Sequence, residues 1–221
     1  MDKLVRKIEI PLARKVIERA GLYIAGEKDI DRLAELSADA YIDYPLHNWL
    51  SKGKYDAKAS MLLMRVSLKA MINDALIYAD SEEMNGFAAW FPVGFDGNKT
   101  LPFLMNGGLK LILHSGPGII GRLLTYEKYG MGLKKDFTDN CDWYLFNLCV
   151  KKDAQGKGIG SKLMRPMLKF CDDERMVAYL ETHKGSNVGL YEHYGFELVS
   201  EKPIPKTPVT HYAMLRQPKA E

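Results

Sequence analysis

Seven residues, Gln155-Gly156-Lys157-Gly158-Ile159-Gly160-Ser161, carry the clearest chemical signal in the chain. They follow an apolar run ending at Val150 and precede Leu163, Met167, Leu168 and Phe170, so they read as strand, glycine loop, helix. Such a turn lets several backbone N–H groups converge at a helix N-terminus, where unsatisfied donors and the helix dipole favour phosphate oxygens. The glycines keep Cβ atoms out of the approach. Spacing separates the phosphate loops that compete. A Walker A loop needs Gly-Lys-Ser/Thr, whereas the order here is Gly160-Ser161-Lys162. A dinucleotide fingerprint needs glycine or alanine at Ser161 when counted from Gly156, or at Leu163 when counted from Gly158. What remains is Gln-x-x-Gly-x-Gly. Downstream, Asn187 and Tyr191 are four apart, so a helix brings both to one face.

Other reactive residue types form no recognisable constellation. Cys141, Cys149 and Cys171 are odd in number and make no C-x-x-C or Cys/His cluster, which points away from a disulfide framework and from a zinc site; no metal is expected. Cys149 sits in an apolar run with no histidine at nucleophile-activating spacing and reads as core filling. Tyr41, Tyr44, His47 and Trp49, with Phe103, Tyr126 and Tyr129, are candidates to wall a pocket for a second substrate, although core packing explains most of them equally well. Asp39, Asp43, Asp136, Asp139 and Asp142 are candidates to attract a cationic group, and also ordinary solvated acids.

These residues need a fold to hold them. The chain has 221 residues, 47% hydrophobic and 27% charged, the composition of a globular protein that needs neither disulfide nor metal staple. Its net charge of +3 comes with no basic run interleaved with aromatics, so no nucleic-acid partner is expected. Residues 1–10 lack the apolar stretch of a secretory signal, and no window approaches a membrane span, so the expected location is cytoplasmic, without a membrane partner. Residues 1–20 read as a helical extension, with a helix beginning near Pro11 and the core starting after it. Residues 21–217 read as one α/β domain with a mixed sheet.

Within it, strands are expected at 22–25, 75–79, 86–93, 143–150, 176–181, 196–200 and 211–215, and helices from Asp29 to Ala40, 57–72, 159–171 and 187–194. Pro45 is read as the stop of the second helix. Residues 99–138, helical but rich in glycine, interrupt this alternation and read as an insertion.

The loop at 155–161, followed by Tyr179-Leu180-Glu181-Thr182, Asn187, Tyr191 and Gly195-Phe196, resembles the GNAT superfamily of acetyl-CoA-dependent N-acetyltransferases. The resemblance covers Asp142 to Arg216 and is closest to the branch containing puromycin N-acetyltransferase, which Ala38-Asp39-Ala40-Tyr41-Ile42-Asp43-Tyr44-Pro45 also resembles. It implies a mixed, mostly antiparallel twisted sheet flanked by helices, with a splayed parallel strand pair forming the acetyl-CoA cleft. It further implies that Leu148, Cys149 and Val150 offer main-chain groups to pantetheine, and that Gln155, Gly156, Lys157, Gly158, Ile159, Gly160 and Ser161 hold the pyrophosphate. Lys157 and Lys162 would add charge there. Tyr191 matches the superfamily's tyrosine acid, near the coenzyme with Asn187. Glu181 is the candidate base, with His183 and Asp142 behind it; many relatives have histidine where Asp142 stands.

The implied reaction is transfer of an acetyl group from acetyl-CoA to a primary amine of a small acceptor, by direct attack in a ternary complex. Acetylation of a peptide or protein amine and a non-catalytic acyl-CoA-binding module are the alternatives. Specificity for the acceptor is expected in the unaligned segment between Val93 and Thr138, and the protein is expected to be a monomer or homodimer.

Overall fold

Apolar alternation places two faces on one sheet. In a computed structural model, which describes residues 3–92, 104–138 and 141–219, the strands are β1 (Tyr23–Ile24), β2 (Leu76–Ala79), β3 (Gly86–Pro92), β4 (Trp143–Val150), β5 (Ala178–Thr182), β6 (Glu197–Pro203) and β7 (Thr210–Arg216). They form a sheet in the order β1-β2-β3-β4-β5-β7-β6, antiparallel throughout except for the parallel pair β4–β5. Leu76, Tyr78, Ala88 and Trp90 point to one side, while Ile77, Ala79, Phe87 and Ala89 point to the other, as the two-residue period of a strand requires. Both faces are covered. The charged edge strand β6, with Glu197, Glu201 and Lys202, is exposed along most of its length, which discourages further pairing.

Helices α1 (Lys3–Arg19) and α7 (Ile159–Asp173) cover the first face, and α2 (Ile30–Ala40) with α4 (Ala57–Met71) covers the second. Helix α1 corrects the reading that the core begins after residue 20. It runs through Pro11, and Ala13 and Ile17 are fully buried in the main cluster with Leu22, Met167 and Phe170. Pro45 is a second correction. Helix α2 has already ended at Ala40, and Pro45 opens a short helix, α3 (Pro45–Leu50), at its first position, where a missing N–H costs nothing.

Between residues 99 and 138, the described part is helical: a π-turn over Leu104–Gly108, α5 (Leu109–Ser115) and α6 (Gly118–Thr138). These helices build a third cluster in which Leu111 and Ile119 meet Leu46, Leu50 and Leu62, together with Ile204 and Val209 from the β6–β7 connection. The short α8 (Val188–Glu192) ends earlier than its periodicity predicts, because the chain turns at Gly195, whose φ is +84°. Among the described residues no helix is long and apolar enough to cross a membrane.

Candidate active site

The parallel pair β4–β5 holds together for three residue pairs only, Trp143↔Ala178, Tyr144↔Tyr179 and Leu145↔Leu180. A bulge in β4 falls at the point where it ends. Along β3, Trp90 faces Leu145 and Ala89 faces Asn147, so Phe146 has no partner and the strand bends there. Beyond the bulge, Leu148, Cys149 and Val150 stay paired to Ala88, Phe87 and Gly86, while their other edge leaves β5. The departing end of β5 is occupied from elsewhere: the Tyr44 hydroxyl, from the α2–α3 turn, accepts the backbone N–H of His183 at 2.9 Å. This is the splayed pair that the resemblance implied.

A cleft of about 450 Å3 opens there. Leu148, Val150, Gln155, Gly156, Gly158, Ile159, Gly160, Ser161, Asn187 and Tyr191 line it, together with Tyr41, Tyr44, Lys184 and Tyr194. Ten of the residues expected at a coenzyme site therefore meet in one place. Gly158 is the residue before α7 and has φ +82° and ψ 0°, a left-handed conformation suited to glycine, and an added Cβ there would meet nothing within 4 Å. Gln155 Nε2 donates to the Val150 carbonyl at 3.1 Å and ties the loop to the end of β4. Open backbone at the N-terminus of a 15-residue helix, with no side-chain cap, fits the diphosphate of a coenzyme.

The two lysines expected to add charge near phosphate are placed differently, while the Cys149 side chain fills the core as its apolar setting predicts. Lys157 is exposed and outside the cleft lining. Lys162 turns away, its Nζ donating to the Asp80 carbonyl at 2.7 Å. The Cys149 side chain packs in the cluster beneath α2 and α4, and its thiol donates to Asn147 Oδ1 at 2.9 Å. Burial pushes that thiol up to about 12, which leaves it a packing group and not a nucleophile.

Asn187 does not cap α8 through its side chain; its Nδ2 donates to Thr182 Oγ1 at 3.3 Å and it faces the cleft. Tyr191 is 8% exposed, and its ring lies edge-on to Phe196. Burial drives its phenol far above the ordinary value of 10, so it stays protonated at neutral pH and has a proton to donate.

Glu181 opens onto a second cavity, of about 210 Å3, on the far side of Tyr41 and Tyr44, which line both. Its carboxylate is held by four neighbours. Oε1 accepts from Tyr144 at 3.1 Å and Tyr126 at 3.5 Å, and Oε2 accepts from Tyr179 at 3.2 Å and lies 3.3 Å from His211 Nε2. Burial, with the carboxylate charge second, raises Tyr126, Tyr144 and Tyr179 well above their usual range, so all three remain donors. His183 and His47 also line this cavity, and burial holds them neutral, at about 4 and about 3. Tyr44, also lining it, is pushed up to about 12 by burial.

Of the aromatic set, Tyr41, Tyr44, His47 and Tyr126 wall this second cavity, whereas Trp49 and Tyr129 pack into the third cluster, and Phe103 lies outside the described residues. The acids do other work. Asp142 Oδ2 accepts the Val177 N–H at 2.7 Å at the entry to β5, and Asp39 Oδ2 accepts the Lys152 N–H at 2.8 Å. Asp43 and Asp136 are not in the lining, and Asp139 lies outside the described residues. Tyr144 and His211 carry no local motif, and Tyr179 belongs to the Tyr179-Leu180-Glu181-Thr182 run; that all three meet the Glu181 carboxylate follows only from β4, β5 and β7 lying side by side. Among the described residues no group of three or more His, Cys, Asp or Glu side chains is placed to hold a metal ion.

Sheet order, splay and glycine loop together make this the mixed α/β fold of the GNAT acetyltransferases. The comparison with solved structures gives the same fold. A Corynebacterium glutamicum structure of "histone acetyltransferase HPA2 and related acetyltransferase" matches with TM-score 0.61 and 18% identity over 90% of this chain and 97% of that one. Arylalkylamine N-acetyltransferase 2 from Aedes aegypti matches with TM-score 0.56 and 17% identity over 90% and 98%. In sequence, residues 118–198 match the family model of the acetyltransferase (GNAT) domain, from the first residue of α6 into β6. An uncharacterised N-acetyltransferase of Schizosaccharomyces pombe is 34% identical over 87 residues, which is 38% of this chain and 34% of the relative. That alignment spans about a third of the relative's length.

Proposed function

We propose that the protein transfers an acetyl group from acetyl-CoA to a primary amine of a small acceptor, by direct attack in a ternary complex. The observation that carries this reading is the meeting of two cavities at Tyr41 and Tyr44, one floored by a glycine loop and the other ending on a carboxylate. The amine acetyltransferase among the structural neighbours and the resemblance of Ala38–Pro45 to the puromycin N-acetyltransferase branch support an amine acceptor.

Bound acetyl-CoA would supply an acetyl thioester. The backbone of Gln155 to Ser161 would hold the diphosphate, and the free edge of Leu148 to Val150 would pair with the pantetheine arm as an added strand does. Tyr191, protonated and facing the same cleft, would give its proton to the departing thiolate. Glu181 would receive the amine's proton. Its oxygens already have their hydrogen-bond partners, so the proton would reach it by way of a phenol hydroxyl such as Tyr144 or Tyr126, both of which line the cavity. The purified protein, screened with acetyl-CoA against small amines and peptides for release of coenzyme thiol, should turn over small amines. No release with any amine or peptide would refute transfer and leave an acyl-CoA-binding module.

A further inference from the structure

We infer that the cavity ending at Glu181 selects an acceptor with one positive charge and a compact apolar body, and rejects acceptors that carry a carboxylate or a second cation. The inference rests on the acetyl-transfer reading for the identity of the site and deepens it. Size comes first. At about 210 Å3 the cavity is smaller than the roughly 300 Å3 at which pockets for drug-sized ligands begin. Leu46, Leu50, Leu63, Met64, Leu123 and Phe146 form its apolar wall, which suits a hydrocarbon or aromatic body and offers nothing to a peptide backbone.

Charge comes second. Glu181 is the one formally charged side chain among the described residues lining the cavity, since His47 and His183 are neutral there. Its side chain is 9% exposed. Tyr126, Tyr144, Tyr179 and His211 occupy the roughly four lone-pair positions of a carboxylate, so an incoming ammonium is drawn by the charge but makes its contacts with phenol oxygens, which retain lone pairs. One buried negative charge compensates one ammonium. A second cation on the acceptor would meet no second negative charge among the described lining residues, only neutral polar groups and the apolar wall, and a carboxylate on the acceptor would share the cavity's low-dielectric space with Glu181.

Three probes separate these terms: 2-phenylethylamine, phenylalanine, which adds only a carboxylate to it, and putrescine, which replaces the ring by a second cation. Each is titrated calorimetrically into the full chain saturated with coenzyme A. Phenylethylamine should bind, and phenylalanine and putrescine should bind weaker by on the order of a hundredfold. Glu181→Gln should weaken phenylethylamine by at least about tenfold and shrink the penalty on phenylalanine, with coenzyme A affinity, read in a separate titration of the unloaded variant, as the check on folding. Phenylalanine or putrescine binding as tightly as phenylethylamine overturns the inference, and so does failure of all three to bind the coenzyme-loaded protein. The wild-type comparison decides the matter even if Glu181→Gln does not fold. Selective binding of phenylethylamine with no thiol release would refute acetyl transfer and leave the selectivity standing.

Discussion

Alanine at Gly158 and at Gly160 puts the same methyl group into two different backbone settings of one loop. Gly158 is left-handed, and its new Cβ would meet nothing within 4 Å, so the substitution carries strain without a clash, about 1–2 kcal/mol. For a chain of this size each kcal/mol shifts Tm by about 2–4 °C, so Gly158→Ala should melt roughly 2–8 °C lower. Gly160 lies in the first turn of α7, and its Cβ would meet the Tyr194 hydroxyl oxygen at 3.5 Å, an ordinary contact. Replacing a helical glycine by alanine gains up to about 1 kcal/mol, so Gly160→Ala should melt at the wild-type temperature or up to about 4 °C higher. Both methyl groups stand where phosphate oxygens would approach, and losing one charge-assisted N–H contact costs about 1.5–3 kcal/mol, a ten- to hundredfold loss of coenzyme A affinity. Thermal melts read the first quantity and calorimetric titration with coenzyme A the second. If Gly160→Ala bound coenzyme A as wild type does, the diphosphate would lie elsewhere. An unchanged Tm in Gly158→Ala would refute the assigned backbone strain.

Tyr191→Phe keeps the ring against Phe196 and removes the proton donor, so single-turnover acetyl transfer should fall by about 10²- to 10⁴-fold at nearly unchanged coenzyme affinity; an unchanged single-turnover rate removes Tyr191 from the chemistry. Coenzyme A binding should be the same before and after EDTA, because the loop supplies its own donors; affinity abolished by chelation would contradict that account. Burial holds His47 near 3 and His183 near 4, below the ordinary 6.5, so the unfolded chain takes up protons near pH 6.5 that the folded chain refuses. That contribution to stability is intact above pH 6.5 and is lost as the pH falls, by about 2 kcal/mol per histidine between pH 7 and pH 5. His47→Asn can still meet Ser60, which His47 Nδ1 contacts at 2.7 Å, and its loss of stability over that interval, from urea unfolding, should be shallower than wild type by about 2 kcal/mol. Parallel pH profiles would refute the assignment.

The sequence alone determined the parts of this protein whose physics is local. Glycines at 156, 158 and 160 between an apolar strand and an amphipathic helix specify a loop ending on open N–H groups, because backbone permissiveness and helix periodicity act over a few residues. Asn187 and Tyr191 share a face for the same reason, and the strand at 143–150 was legible to the residue because its run of apolar side chains is bounded by Asp142 and Lys151. Pro45 was the local signal that misled. A proline that ends one helix and a proline that begins another have the same neighbours in sequence, and only the packing of Leu46 and Leu50 against Leu111 and Ile119 selects the second.

Tertiary structure decided everything that joins distant segments. The four neighbours of Glu181 come from α6, β4, β5 and β7, and whether they converge depends on strand register, where a slip of one residue would turn every side chain to the other face. Lys162 looked suited to phosphate from its place after the loop, but helix phase points it at the Asp80 carbonyl, 82 residues away in sequence. Tyr44 shows the same limit: nothing near it in the chain foretells that its hydroxyl takes the His183 N–H, 139 residues on, and separates two cavities. Such contacts arise from the common packing of helices and sheet, and no short window of sequence encodes them.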